Sequence, residues 1–316
     1  MKKTTFLLVI SLILFVFCLG SFLPSPRAEA AENPPLSFWN EGNTKQEIMD
    51  FVGDITNPES TNFVDPSDRI AVFDNDGTLL LEKPCFFEEA FFVYQQGSSS
   101  YCLTEEKEID VAVKDIEINQ GLTTDQYKQK ARNFLETQLH PDLGVPYIQL
   151  TYKPMVQLLD YLRENQFQIY ISSGAEIDFI RSFAEDAYQI PPKHTIGTSF
   201  VSKFEIQEDG KPVIIRLGIP LLPLNNYAGK AVGIQRYIGK KPILTVGNGN
   251  NDVAMLQYTD DGEGRDLMML VHHDDGDREY QYDEGAETLL AEAEKRGWIL
   301  ISMKNDFKQV FDDFSD

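Results

Sequence analysis

The sequence predicts an α/β protein with a doubly wound parallel sheet, on three observations. Short, unbroken apolar runs recur along the chain, as at residues 70–73 and 267–271, and such runs are typical of strands buried on both faces. Segments with helical periodicity lie between them, which predicts strand–helix alternation. Several runs end in Asp, Ser, Gly or Asn, and ligand sites in open α/β sheets lie at the carboxyl ends of strands.

The first part of the core predicts one helix followed by one strand. Residues 44–55 carry apolar side chains at helical spacing, so they predict an amphipathic helix against the core. Residues 70–73 predict a buried strand that runs directly into Asp-Asn-Asp-Gly-Thr at residues 74–78. Two carboxylates this close repel each other, which indicates a bound cation or a shared proton.

Residues 84–152 depart from the alternating pattern. They contain helical stretches at 85–95, 105–117 and 124–138, separated by Gly/Ser-rich and Pro-containing turns. We interpret this segment as a small helical cap inserted after the first core strand.

The second half of the chain returns to strand–helix alternation. A strand at 167–171 ends in Ser-Ser-Gly, and a strand at 242–246 ends in a polar turn at 247–252. An Asp-Gly pair between two β-type runs predicts a hairpin. The remaining predicted elements are helices at 155–164, 175–187, 230–237, 252–258 and 284–296, hairpin strands at 200–206 and 213–217, and core strands at 267–271 and 298–303.

The N-terminus predicts a secretory signal peptide. Two lysines precede a nearly continuous apolar run at residues 6–19, and Ala-Glu-Ala at 28–30 is a small-x-small cleavage signal. The run is short for a retained membrane anchor, which needs about 20 apolar residues. We therefore predict cleavage after Ala30 and a secreted or periplasmic protein without a membrane partner after cleavage.

These patterns divide the chain into four segments. Residues 1–30 are the signal peptide, and residues 31–83 are an N-terminal segment with the first part of the α/β core. Residues 84–152 are the helical cap, and residues 153–316 are the remainder of the core. A chain of 316 residues is long enough for one such domain with an insertion.

Charge and cysteine content limit the partners and the chemistry. With 28 Lys and Arg against 50 Asp and Glu, the formal net charge is −22, which argues against nucleic acid as a partner. Cys85 and Cys102 either pair in an oxidising compartment or remain two buried thiols, and the sequence favours neither. It also leaves the oligomeric state unknown.

The motif at residues 74–78 resembles motif I of the haloacid dehalogenase (HAD) superfamily of aspartate-nucleophile phosphohydrolases. Residues 39–42 (Trp-Asn-Glu-Gly), 82–84 (Glu-Lys-Pro) and 271–275 (Val-His-His-Asp-Asp) add a resemblance to a secreted, phosphoserine-phosphatase-like subgroup. The resemblance implies a Rossmann-like sheet, the HAD core, and a cap that covers the active site and selects substrates.

The resemblance also implies roles for particular residues. Asp74 corresponds to the nucleophile and Asp76 to the general acid and base. Ser173 and Gly174 resemble motif II, which binds phosphate. Lys230 resembles motif III, whose positive charge holds the phosphoryl oxygens.

A magnesium site is the remaining part of this pattern. The expected Mg²⁺ ligands are Asp74, Asp76, Asn248 and Asp252. The family usually has Asp at the first position of motif IV, where this sequence has Asn248. An amide oxygen can bind Mg²⁺ but carries no charge, so the site has one negative charge fewer than the family pattern.

The function expected from this resemblance is Mg²⁺-dependent hydrolysis of a small phosphorylated metabolite through an aspartyl-phosphate intermediate. One alternative is a phosphate-ligand binding protein with a degenerate site, suggested by Asn248. Another is a phosphocholine-type phosphatase, because aromatic residues of the cap could form a cation–π box. These residues are Phe86, Phe87, Phe91, Phe92 and Tyr94. The sequence does not separate hydrolysis from phosphoryl transfer to an alcohol.

Overall fold

The structure is a computed structural model that describes residues 34–98, 101–102, 117–260 and 264–314. The predicted signal peptide and nearly all of the predicted helix at 105–117 lie outside these residues. The described residues from Pro35 onward form one compact unit. Among the described residues, no helix has the length and apolarity needed to cross a membrane.

Six parallel strands form the central sheet, which confirms the predicted fold class. The strands in chain order are β1 (Ile70–Phe73), β2 (Gln168–Glu176), β3 (Thr195–Thr198), β4 (Phe200–Ile206), β5 (Pro212–Pro220), β6 (Leu244–Gly247), β7 (Leu267–His272) and β8 (Ile299–Ser302). The sheet order is β3-β2-β1-β6-β7-β8, while β4 and β5 form an antiparallel hairpin. Strand β3, at one edge of the sheet, was missed from the sequence.

The chain reverses its direction of travel across the sheet at β1. It runs outward from β1 to β2 and β3, and then returns to build β6, β7 and β8 on the other side. Crevices at such switch points, beyond the carboxyl ends of the strands, are where α/β sheets place ligands. The topology therefore puts the ends of β1, β2 and β6 around one crevice.

Helices cover both faces of the sheet. The described helices are α1 (Asn43–Thr56), α2 (Phe87–Gln95), α3 (Thr124–Thr137), α4 (Lys153–Glu164), α5 (Ile177–Arg181), α6 (Ala184–Tyr188), α7 (Ala228–Tyr237), α8 (Val253–Thr259), α9 (Glu287–Arg296) and α10 (Met303–Asp306). Successive side chains of β1 enter different apolar clusters: Ala71 and Phe73 pack with α1 and α4, whereas Ile70 and Val72 pack with α7, α8 and α9. This alternation follows from the two-residue period of a strand.

The predicted single helix at 175–187 is wrong. Strand β2 continues to Glu176, because Ser172 and Glu176 still pair with β3 across a bulge. Two short helices, α5 and α6, follow it. Gly174 and Ala175 therefore belong to the end of a strand and do not open a helix.

Two inserted segments contact each other: the segment with helices α2 and α3, and the β4–β5 hairpin. Helices α2 and α3 pack through aromatic rings, with Phe91 5.5 Å from Phe134. The β4–β5 hairpin joins them, since Thr123 pairs with Ile215 and the backbone N–H of Arg216 donates to Leu122 at 2.9 Å. The boundaries of a separate cap at 84 and 152 remain predictions.

A buried ion pair holds the hairpin to the core. Arg216 on β5 makes two hydrogen bonds to the Glu176 carboxylate at the end of β2, and both side chains are 4% exposed. The guanidinium carbon also lies 3.7 Å from the centre of the Tyr127 ring on α3. One side chain thus connects the hairpin, the helical insertion and the sheet.

The open question about the cysteines is also answered. Cys85 and Cys102 form a disulfide, with their Cα atoms 5.7 Å apart. The bond ties the chain just before α2 to a segment seventeen residues later.

Replacing Arg216 with Ala should destabilise the protein by about 3–5 kcal/mol, because the Glu176 carboxylate would stay buried without its cation. Urea denaturation would measure the free energy of unfolding. Lys211→Ala in the same hairpin is the matched control. Lys211 pairs with Asp209 at the exposed surface, so its loss should change the free energy of unfolding far less. Equal effects of the two substitutions would contradict this role for Arg216.

Candidate active site

Asp74 is placed by the central strand of the sheet. Its backbone N–H donates to Val246 of β6 at 2.9 Å, so the residue continues the ladder beyond the end of β1. Its side chain is only 3% exposed. The carboxylate therefore has a fixed position at the floor of the crevice.

A tight turn follows Asp74 and brings the chain back on itself. The carbonyl of Asn75 accepts hydrogen bonds from Thr78 at 3.2 Å and Leu79 at 2.8 Å. Gly77 has φ +72°, and a Cβ there would lie 1.9 Å from Nδ2 of Asn248. Glycine is needed at this position for both its backbone angle and the close approach of Asn248.

Lys230 lies between two of the predicted site residues. Its Nζ is 2.6 Å from Oδ1 of Asp74 and 2.5 Å from Oδ1 of Asp252, and the side chain is fully buried. It is placed there by the first turn of α7. Two other lysines, just before β6, have partners outside the site. Lys240 pairs with Asp68 at the surface, and Nζ of Lys241 lies 5.4 Å from the centre of the Tyr258 ring.

Asp252 uses both of its carboxylate oxygens inside the protein. One accepts from Lys230, and the other accepts from the backbone N–H groups of Asn248 at 2.9 Å and Gly249 at 3.1 Å. The residue has no exposed surface and does not line the cavity. In this arrangement Asp252 anchors Lys230 and shapes the turn after β6, and its direct contact with a metal remains a prediction.

Asp76 and Ser173 meet at the floor of the crevice. The Ser173 hydroxyl lies 3.4 Å from Oδ2 of Asp76, to which it donates, and accepts from the backbone N–H of Ala175 at 3.1 Å. Ser173 is fully buried, whereas Asp76, Gly174 and Ala175 line the cavity. The end of β2 thus borders the same space as the end of β1.

Asn225 is a supporting residue that the sequence did not reveal. Its Nδ2 donates to the Ser172 hydroxyl at 3.1 Å and to the Ser173 carbonyl at 2.9 Å. It ties the end of β2 to the segment before α7. No local pattern identifies it, because its partners lie about fifty residues earlier in the chain.

Asn248 and Glu82 form a second polar group beside motif I. Nδ2 of Asn248 donates to Oε1 of Glu82 at 3.0 Å, and Oδ1 accepts from the Thr78 hydroxyl at 3.3 Å. Tyr282 donates to the same Glu82 oxygen at 2.6 Å. Glu82 and Tyr282 were not among the expected site residues, although Glu82 belongs to the Glu-Lys-Pro run noted above.

His273 supports the motif I turn from behind. Its Nε2 donates to the carbonyl oxygen of Gly77 at 2.9 Å, and its Nδ1 lies 3.2 Å from Oε2 of Glu279. The ring stacks on Tyr282 with centroids 4.4 Å apart. The adjacent His272 instead contacts Asp283 at 2.8 Å, so the two histidines have separate partners.

Burial and like charges shift the pKa values of the acids. Burial raises the pKa of Asp76 to about 6, with a further contribution from the charge of Glu82. Burial and the charge of Asp252 raise the pKa of Asp74 well above its ordinary value, although Lys230 opposes this. Burial disfavours the charged form of Lys230, but Asp252 and Asp74 more than compensate and raise its pKa.

The crevice opens into a cavity of about 620 Å³. Its wall is rich in acidic and aromatic side chains. The lining residues other than glycines are Asp74, Asp76, Glu82, Lys83, Phe86, Glu88, Glu89, Phe92, Ala175, Asn226, Tyr227, Asn248, Asn250, Asn251, Tyr282, Glu284 and Ala286. At the inner end, the carboxylate oxygens of Asp74 and Asp76 and the amide oxygen of Asn248 are ligands that suit Mg²⁺.

The cap aromatics divide into two groups. Phe87 and Phe91 are 1% exposed and belong to the core. Phe86 and Phe92 line the cavity, whereas Tyr94 does not. A box made from all five rings is therefore wrong.

Stability without metal should depend on the protonation of Asp76. Its pKa is raised from 3.8 to about 6 in the folded state, so between these pH values only the folded protein holds the proton. The associated stability is complete below about pH 4 and is lost as the pH rises through 6. The two-unit shift corresponds to about 3 kcal/mol.

Asp76→Asn removes this dependence. With chelator present, the unfolding free energy of the variant minus that of the wild type should increase by about 3 kcal/mol between pH 4 and pH 7. Urea denaturation at several pH values measures it. Parallel curves for the two proteins would contradict the prediction.

Comparisons with known proteins bear on the fold. No protein-family model matches the sequence, and no curated protein matches it either. Among solved structures, the chain is similar to a functionally unknown protein from Anaerococcus prevotii DSM 20548, with a TM-score of 0.53 and 16% identity, covering 82% of this chain and 91% of that chain.

Two further solved structures are similar at lower TM-scores. A HAD family hydrolase from Salmonella enterica subsp. enterica serovar Typhi has a TM-score of 0.40 and 16% identity, covering 76% of this chain and 68% of that chain. A phosphoserine phosphohydrolase-like protein from Francisella tularensis subsp. tularensis SCHU S4 has a TM-score of 0.39 and 17% identity, covering 72% and 99%. The chain thus shares its parallel α/β fold with the Anaerococcus protein.

Proposed function

We propose that this protein is a HAD-superfamily phosphatase that hydrolyses a small phosphorylated metabolite through an aspartyl-phosphate intermediate. The observation that carries the proposal is the contact of Lys230 with both Asp74 and Asp252. It joins the motifs after β1 and β6 through a lysine from α7. A structural lysine would more commonly be exposed, because burying an ammonium group is costly without such partners.

Asp74 is the nucleophile in this proposal. Its carboxylate oxygen attacks phosphorus and forms an acyl phosphate, while the bond from phosphorus to the alcohol oxygen breaks. Lys230 offsets the repulsion between the carboxylate and the phosphoryl oxygens. The backbone around Gly174 borders the space where those oxygens would lie.

Asp76 is the acid and then the base. In the first step it gives its proton to the departing alcohol oxygen. In the second it takes a proton from the water that attacks phosphorus, while the bond from phosphorus to the Asp74 oxygen breaks and phosphate is released. A pKa near 6 suits a group that must perform both transfers near neutral pH. The hydroxyl of Ser173 helps to hold its carboxylate.

Mg²⁺ is the proposed cofactor. Asp74, Asp76 and Asn248 would hold it, and it would supply positive charge that screens the nucleophile from the phosphate. The lining of the inner cavity fits this ion, because carboxylate and amide oxygens outnumber cations there. Asp252 would contribute indirectly, because it holds the ammonium group of Lys230 and the backbone N–H of Asn248 in place.

Asp74→Asn should lower kcat for an aryl phosphate by about a thousandfold or more, because an amide cannot form the acyl phosphate. Asp76→Asn should allow the first step with a good leaving group but block the second. Mass spectrometry of that variant after brief exposure to substrate should therefore reveal one added phosphoryl group. Turnover by Asp74→Asn at the wild-type rate would exclude the mechanism.

A binding protein with a degenerate site is the main competitor. It would bind a phosphorylated ligand without turnover. A panel of phosphomonoesters, each assayed with Mg²⁺ and with chelator, separates the two. Mg²⁺-stimulated release of phosphate excludes the binding protein, whereas binding by calorimetry without release excludes the phosphatase.

A phosphocholine-type substrate is a second candidate, favoured by the cavity wall. Acidic residues and the rings of Phe86 and Phe92 line the cavity, and both groups attract a cation. Lys83 is the lining residue of opposite charge, and its Nζ lies 4.5 Å from the Tyr282 ring. A substrate with a positively charged group beyond its phosphate would suit this wall.

This candidate predicts at least about a tenfold higher kcat/KM for phosphocholine than for an uncharged alkyl phosphate of similar size. Phe92→Ala should reduce that preference. Tyr94→Ala, a neighbour in α2 outside the cavity, should leave it unchanged. Equal rates for the two substrates in the wild type would exclude a cation-selective site.

We also propose that the protein is exported. The N-terminal pattern supports this, and so does the Cys85–Cys102 disulfide, since disulfides persist mainly in oxidising compartments. Cell fractionation with N-terminal sequencing of the mature protein would test it. A cytosolic protein that begins at Met1 would contradict the proposal.

A further inference from the structure

Glu82 forms a hydrogen bond with Asn248, the expected metal ligand that departs from the family pattern. Its Oε1 accepts from Nδ2 of Asn248 at 3.0 Å, and both residues line the inner cavity. A carboxylate can only accept, so the amide nitrogen must face Glu82. The amide oxygen is thereby turned toward the motif I turn, where it accepts from Thr78.

The packing of Asn248 leaves little freedom for another arrangement. The side chain is 4% exposed and lies so close to Gly77 that a Cβ on that glycine would fall 1.9 Å from Nδ2. The backbone N–H of Asn248 is held by Asp252. Rotation of the amide would place its oxygen against the Glu82 carboxylate and its nitrogen against a hydroxyl.

Glu82 is itself held in place. Tyr282 donates to Oε1 at 2.6 Å, and the Tyr282 ring stacks on His273. His273 donates to the Gly77 carbonyl at 2.9 Å. The chain of contacts therefore begins and ends at the motif I turn, and it keeps the carboxylate beside Asn248.

We propose that Glu82 is a positioning residue for the metal site and replaces, through Asn248, the negative charge that an aspartate at position 248 would carry. It would present the amide oxygen, rather than the amide nitrogen, as the ligand for the cation, and it would add a carboxylate one hydrogen bond away. Partners of this kind around metal ligands typically change affinity tenfold to a hundredfold. The proposal rests on the proposed function, because it assumes that Mg²⁺ binds beside Asn248.

An exchange of the two side chains tests this directly. Glu82→Gln removes the charge and should raise the Kd of Mg²⁺ by about tenfold or more, measured by calorimetry with MgCl₂ on metal-free protein without substrate. Glu82→Gln combined with Asn248→Asp moves the carboxylate to position 248, where the amide introduced at position 82 can donate to it. The double variant should bind Mg²⁺ within about threefold of the wild type.

Two further variants complete the test. Tyr282→Phe keeps the ring stack but removes one hydrogen bond to Glu82, and it should raise the Kd by about threefold. Asp283→Asn is the matched control for charge. It removes one negative charge, as Glu82→Gln does, but Asp283 contacts His272 rather than Asn248. We expect its Kd to stay within about twofold of the wild type.

Kinetics supply a second measurement. The Mg²⁺ concentration for half-maximal activity should rise in Glu82→Gln. The fold-change in kcat at saturating Mg²⁺ should be smaller than the fold-change in that concentration. A general loss of structure would lower kcat at every Mg²⁺ concentration, and the double variant would not recover.

The outcomes separate the two proposals. A wild-type protein that neither binds Mg²⁺ nor releases phosphate overturns the proposed function. If the wild type binds Mg²⁺ and Glu82→Gln binds it with the same Kd, only the role of Glu82 is overturned. A double variant that binds as weakly as Glu82→Gln overturns it too. If Glu82→Gln does not fold, an unchanged Kd in Tyr282→Phe is sufficient to reject the role.

Discussion

The buried ammonium group of Lys230 is the interaction on which the candidate site depends. It lies within 2.6 Å of two carboxylates that belong to the segments following two different strands, β1 and β6. Without it, Asp74 and Asp252 would be buried like charges, and removing one partner of such a group typically costs about 3–5 kcal/mol. The same contact that stabilises the crevice therefore positions the candidate nucleophile, so stability and proposed chemistry share one side chain.

The turn after β1 is stabilised from both sides. On one side Gly77 allows Asn248 to pack against the backbone, and on the other its carbonyl accepts from His273. Glu82 and Tyr282 connect these two sides. A substitution in this network should therefore affect the inner cavity even when the substituted residue does not touch a substrate.

Part of the cavity wall comes from the inserted segment that contains α2. Phe86 and Phe92 come from α2 and its preceding residue, while Arg216 holds the β4–β5 hairpin against α3 and the end of β2. Asp74 and Asp76 follow the end of a core strand, whereas Phe86 and Phe92 belong to an inserted segment. Under the proposed function, this separation would let the reaction stay constant while the insertions determine which substrate enters.

The sequence by itself predicted the alternation of strands and helices, because the two elements have different apolar periods. Its resemblance to the HAD superfamily selected Asp74, Asp76, Ser173, Lys230, Asn248 and Asp252 as candidate site residues. The sequence did not predict the edge strand β3 or the extension of β2 to Glu176, since pairing between distant segments decides both. It was equally unable to identify Asn225, Glu82 and Tyr282 as neighbours of the site. Only the tertiary structure decided those contacts, because hydrogen bonds between residues far apart in the chain depend on how the elements pack and leave no periodic pattern behind.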